Sequence, residues 1–162
     1  MTQISEAQFR QAMGQFATGV TIVTCANAQA RPVAMTVNSF TSVSANPPLI
    51  LWCVNKTILP FPAFHEAANF AIHVLHAGQQ DMSNHFAVDR EDKFSGIAYT
   101  EGVGAVPILK DFLALYQCET HARFDAGDHV IIVGRVLACE LREGKPLLFH
   151  AGSYREVAAT PA

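Results

Sequence analysis

The chain has 162 residues, 50% of them hydrophobic and only 15% charged, with a formal net charge of −3. That length, 1–162, fits one domain able to bury a core without disulfide or metal staples. No basic stripe appears, which argues against nucleic acid as a partner, and the low charge with a high apolar fraction suggests surface buried between subunits.

The first predicted element is a helix. Ser5 and Gln8 have capping-box spacing, in which each side chain satisfies an orphan N–H at a helix start. Phe9, Ala12, Met13 and Phe16 follow at helical spacing; Gly14 weakens the helix and Gly19 lies beyond its end. This N-terminal stretch lacks the basic-then-apolar pattern of a secretory signal, and no apolar run reaches the length of a membrane span. The expectation is a soluble, cytoplasmic protein.

Residues 19–26, GVTIVTCA, are β-branched and strand-like. A turn over 27–32 leads to a second strand, VAMTVNSFTSVS (33–44), closed by ANPP. LILWCVN (49–55) is a third strand, apolar enough to be buried on both faces. Residues 58–70 carry two prolines and then a short helical turn; 70–76 is a fourth strand. A helix is predicted over 78–88, with a mobile charged loop, DREDKFSG, after it. LYQCETHARF (115–124) alternates, with Tyr116, Cys118, Thr120, Ala122 and Phe124 on one side. DAGD is turn chemistry, HVIIVGRVLACEL (129–141) is a long apolar strand, 145–157 holds a final short strand, and AATPA is frayed. Six or seven strands with short helices between them fit a mainly β, mostly antiparallel barrel rather than a doubly wound parallel sheet.

Cys25, Cys53, Cys118 and Cys139 form no CxxC pair, which argues against zinc or thioredoxin-type chemistry and suits a reducing compartment. The seven histidines lack ligand spacing, so no metal is expected. There is no GxSxG elbow and no Gly-rich dinucleotide fingerprint.

Three stretches stand out. In 34–48, Thr36, Asn38, Ser42 and Ser44 put polar groups on one side of a strand. They either face water or hold a polar ligand, since hydroxyls, an amide and strand-end N–H groups suit a heterocycle edge and a phosphate. Asn55-Lys56-Thr57 offers a cation, a hydroxyl and backbone N–H groups to a phosphate, or is an ordinary polar turn. Gly127-Asp128 makes a hairpin turn that places His129 at the start of a strand, either solvated or poised at a barrel mouth.

Taken together, FRQAMGQFATGVTIVT, MTVNSFTSVSANPPLILWCVNK and AGDHVIIVGRV, with PLLFHAGSYR after them, resemble the short-chain NAD(P)H:flavin oxidoreductase family, the reductase components of two-component flavin monooxygenases. The resemblance runs from about Phe9 to Tyr154. It implies an FMN-binding split β-barrel with short flanking helices, working as a homodimer. It implies that Thr36, Asn38 and Ser39 contact the flavin ring edge or ribityl chain. Ser42 with Asn55, Lys56 and Thr57 would hold the phosphate, and His85 and Phe86 would touch flavin. His129 would lie near the nicotinamide as the catalytic-site residue, with Tyr154 near the same pocket. The implied activity is hydride transfer from NADH or NADPH to FMN or FAD, with reduced flavin passed to a partner oxygenase. A non-catalytic flavin- or haem-binding split barrel and an oxidase of the pyridoxamine-phosphate type are the rival readings; the second would normally carry a more basic phosphate site than VNKT.

Overall fold

The computed structural model describes residues 4–158; AATPA, apart from Ala158, lies outside them. In chain order the elements are α1 (Glu6–Met13), β1 (Thr18–Gly19), β2 (Thr21–Ala26), β3 (Pro32–Val37), β4 (Thr41–Ala45), β5 (Pro48–Asn55), α2 (Phe61–Glu66), β6 (Asn69–Val74), α3 (Gln80–Ala87), β7 (Tyr99–Glu101), β8 (Pro107–Leu109), β9 (Ala114–Ala126), β10 (His129–Leu141), β11 (Leu148–His150) and β12 (Ser153–Arg155). The main sheet is antiparallel, in the order β3-β2-β6-β9-β10-β5-β4.

That order contains the central fact of the fold. The two edge strands, β3 and β4, are consecutive in the chain and joined only by Asn38–Phe40. So short a link spans little more than about 13 Å fully extended. The sheet must therefore curl until its two edges nearly meet. The stretch 33–44, expected as one strand, is broken at Asn38–Phe40. Its first half pairs with β2 and its second half with β5. The result is a barrel split where the link crosses, as expected for the fold class.

Trp52, Phe64, Phe70, Ile72 and Ile132 pack in the core between the walls. Trp52 meets the Phe64 and Phe70 rings edge-on at 5.1 and 5.9 Å, geometry that aromatic quadrupoles favour. Gly134 of β10 sits against this group, and a Cβ there would collide with the Phe70 ring. A second cluster, Val20, Ile22, Ala34, Leu75 and Phe86, lies beneath α3.

Three expectations are corrected. β5 is not buried on both faces: Ile50, Trp52 and Val54 are buried, while Leu49, Leu51 and Cys53 are half-covered. The strand buried on both sides is β2, where every residue from Thr21 to Cys25 is covered. The one-sided alternation in 115–124 ends at His121, where the ladder to β10 slips: Val133 faces Ala122 but Gly134 faces Thr120. A bulge of this kind changes the face presented beyond it, and Phe124 is exposed. Finally, α1 has its capping box but ends at Met13, with Phe16 in the turn beyond, and none of its residues is buried.

Candidate functional site

The broken strand brings its polar residues to the place where the barrel edges approach. The Thr36 hydroxyl donates to the Ser83 carbonyl of α3 at 2.7 Å. The Ser39 hydroxyl is tied to β5, accepting from the Cys53 N–H at 3.0 Å and donating to the Cys53 carbonyl at 3.2 Å. Asn38, between them, is exposed. Thr36, Asn38, Ser83, Ala87, Phe149 and Tyr154 border a groove of about 210 Å³. Tyr154 reaches it from β12, stacked edge-on against Phe149 of β11 at 5.4 Å. Thr36, Asn38 and Tyr154, from distant parts of the chain, therefore share one groove; His129, expected near the same pocket as Tyr154, does not line it.

A second group gathers where β5 and β10 end. His129 lies opposite Asn55 in the ladder. The Asn55 amide oxygen accepts from the Thr57 N–H at 2.8 Å and from its hydroxyl at 2.7 Å. The Lys56 N–H donates to the Asp128 carbonyl at 2.9 Å. The amides of Lys56 and Thr57 are thus already engaged, and an incoming anion would meet the Lys56 ammonium instead. That ammonium donates to the Gly127 carbonyl at 3.0 Å and pairs with Asp125 at 2.7 Å. The Lys56 hydrogen bond and charge hold the Asp125 carboxyl below the usual carboxylate range. His129 Nδ1 is 2.8 Å from the Asp128 carboxylate, whose hydrogen bond to the ring lowers the Asp128 pKa in the same way.

The Ser39–Cys53 bonds link the two groups, because Cys53 is two residues before Asn55 on the same strand. The other expected residues sit further out. Ser42 is exposed on β4 opposite Ile50. His85 lies on the far side of α3, donating from Nε2 to the Lys93 carbonyl at 2.7 Å while Arg90 approaches Nδ1 at 2.9 Å. Phe86 is fully buried in the cluster beneath α3 and borders a small cavity of about 60 Å³ with Thr36 and Lys93.

Two residues with no signal in the sequence reading complete the picture. Ser83 is fully buried, with its hydroxyl 2.8 Å from that of Tyr154. Lys93, expected in a mobile charged loop, is only 6% exposed and donates from Nζ to the Phe86 carbonyl at 3.0 Å. Burial pushes its pKa down, as expected for a cation moved out of water. With Arg31, Arg90 and Glu66 it borders a cleft of about 480 Å³ beside β3.

A polar strand at a split in a small antiparallel barrel thus lies beside a lysine turn and a histidine turn that are locked together. Residues 13–158 match the flavin reductase like domain, and the chain belongs to that family. It is 45% identical over 146 residues to the FMN reductase (NADH) SmoA of Agrobacterium fabrum, covering 90% of this chain and 83% of that one. It is 40% identical to the flavin-dependent monooxygenase reductase subunit HsaB of Rhodococcus jostii, over 93% of this chain and 77% of the relative. Among solved structures, the Streptomyces globisporus NADH:FAD oxidoreductase SgcE6, in complex with NAD and FAD fragments, superposes with a TM-score of 0.89. It is 35% identical, over 95% of this chain and 93% of that one. Some relatives are longer: the chain spans 47% of a 43% identical probable flavin reductase of Rhizobium meliloti.

Proposed function

We propose that the chain is an NAD(P)H-dependent flavin reductase that takes up FMN or FAD, reduces it with a hydride from NADH or NADPH, and passes it to a separate flavin-dependent oxygenase. The observation that carries this is the convergence of the Thr36–Ser39 segment, the Asn55–Thr57 turn and His129 on one end of the barrel. The donor set fits the flavin: an exposed amide at Asn38 for the ring edge, an ammonium at Lys56 for the phosphate, and an aromatic wall at Tyr154.

Bound flavin supplies the redox chemistry, since it accepts a hydride from a nicotinamide. The chain's own part is positioning. Ser39 fixes the ligand-facing segment to β5, so Asn38 is presented from a braced backbone. The Asp128 carboxylate accepts from His129 Nδ1–H and orients the ring, whose Nε2 is left to accept from a carboxamide N–H. Transfer between two flat rings needs close, aligned contact rather than a strong acid or base. That matches a site built from hydroxyls, amides and one imidazole.

Being named a monooxygenase reductase subunit, as HsaB is, supports an oxygenase as recipient of the reduced flavin. The exposed apolar side chains of Phe9, Met13 and Phe16 support a homodimer. Among the described residues no helix is long and apolar enough to cross a membrane. Use of NADH and four free cysteines support a cytoplasmic location.

The test is the oxidation of NADH and NADPH, followed by absorbance, with FMN, FAD and riboflavin in turn, for the wild type and His129→Ala. The wild type should reduce flavin. His129→Ala should raise the KM for the nicotinamide and slow single-turnover reduction by up to about a hundredfold, with flavin affinity little changed. A wild type that binds flavin but never oxidises NAD(P)H would overturn the assignment in favour of a carrier.

A further inference from the structure

Ser83 is in contact with both walls of the groove. It is fully buried on α3. Its carbonyl receives the Thr36 hydroxyl from β3 at 2.7 Å, and its side-chain oxygen lies 2.8 Å from the Tyr154 hydroxyl of β12. The Tyr154 hydroxyl also contacts the Asn84 amide oxygen at 3.0 Å. An amide oxygen can only accept, so the phenol proton goes to Asn84 and the Ser83 hydroxyl donates to Tyr154. Every polar group in this chain of bonds then has a defined role.

The strands that Ser83 joins have no ladder between them. β3 is an edge of the main sheet, whereas β12 belongs to the three-stranded sheet β1-β11-β12. The C-terminal hairpin is anchored at its base by the β1–β11 ladder and by backbone bonds of Leu147 to Val20 and Leu75, but the Tyr154 hydroxyl at its tip is held to α3 by Ser83 and Asn84. We infer that Ser83 is a positioning residue that sets the width of the ligand groove: its hydroxyl fixes the Tyr154 ring to α3 at the point where the backbone carbonyl of the same residue holds Thr36. This rests on the groove being where the flavin and nicotinamide rings stack, and it concerns residues that would touch neither ring's reacting atoms. A planar ligand is gripped only if the gap matches its thickness, so a wall free to drift should weaken binding as well as rate.

The experiment is a double-mutant cycle on Ser83→Ala and Tyr154→Phe. FMN affinity is read by quenching of flavin fluorescence, and KM and kcat for NADH are read separately. Each single variant should weaken FMN binding and lower kcat/KM by about five- to tenfold, and the double variant should be no worse than Tyr154→Phe, because both remove the Ser83–Tyr154 bond and Tyr154→Phe removes the Asn84 bond besides. In protein labelled with 3-fluorotyrosine, whose three tyrosines are assigned by loss of the Tyr154 signal in the Phe variant, Ser83→Ala should move or broaden the Tyr154 resonance alone. Losses that multiply fully in the double variant would overturn the inference, since Ser83 would then act through core packing. So would an unmoved Tyr154 resonance. If Ser83→Ala does not fold, Tyr154→Phe at wild-type affinity and rate overturns it instead. A wild-type chain that neither binds nor reduces flavin would fail the functional reading itself, an outcome separate from normal wild-type behaviour with additive variants.

Discussion

His73 shows how much one side chain can set the limits of stability. It is fully buried, with Nε2 accepting the Leu109 N–H at 3.1 Å and Nδ1 3.2 Å from the Ile22 carbonyl. The ring is therefore neutral, with its proton on Nδ1, and it stitches β6 to β2 and β8. Burial lowers its pKa from the ordinary 6.5 to about 4. Between those values the unfolded chain binds a proton that the folded chain refuses, so stability is complete above pH 6.5 and falls as pH drops towards 4. The loss should approach about 3 kcal/mol. Urea unfolding at pH 7 and pH 4.5 checks this, and equal midpoints would contradict it. Lys56 makes a prediction of another kind. Lys56→Ala removes one charge-assisted contact worth about 1.5–3 kcal/mol, roughly ten- to a hundredfold in affinity. That loss should fall on FMN and spare riboflavin, which has no phosphate. Equal losses for the two flavins in a fluorescence titration would remove Lys56 from the phosphate site.

Among the elements, β10 carries a tight packing constraint. A Cβ added at its Gly134 would collide with the Phe70 ring and lie 3.1 Å from Cys118 Cβ. Gly134→Val should cost about 1–3 kcal/mol by overpacking, seen as a lowered denaturant midpoint, with Gly134→Ala intermediate. A neutral valine would mean that the Phe70 ring can move aside. The elements also show what a sequence discloses. The capping box of α1 was legible because its partners are three residues apart, and β10 was legible from its long β-branched run. The division of 33–44 between two edges was not, because sheet closure depends on strands far along the chain. The strands β7 and β8 are three residues each, too short to show a period. At the site, the Asn55–Thr57 turn and His129 could be read from turn chemistry and from family resemblance. Ser83 could not, since a single serine on a helix has no spacing to mark it, and Lys93 was hidden inside a run of charges.

At the scale of the whole molecule, the unpartnered surface is what needs explaining. Phe9, within α1, and Phe16, just beyond it, are 58% and 72% exposed, and no residue of the helix is buried. Replacing both by aspartate should leave the fold intact, as judged by circular dichroism, while shifting a sedimenting dimer towards monomer. A variant that remained dimeric would place the interface elsewhere. The crossing link Asn38–Phe40 has a consequence for the order in which the chain assembles. The first half of the bent strand finds β2 across the turn 27–31, and the second half finds β5 across 46–47, so both are hairpins of low contact order. The ladder between β5 and β10 must wait for a loop running from 56 to 128 to close, and such non-local pairing is slow. The Asn38–Phe40 corner is thus the seam between two early hairpins, and the barrel closes around it afterwards.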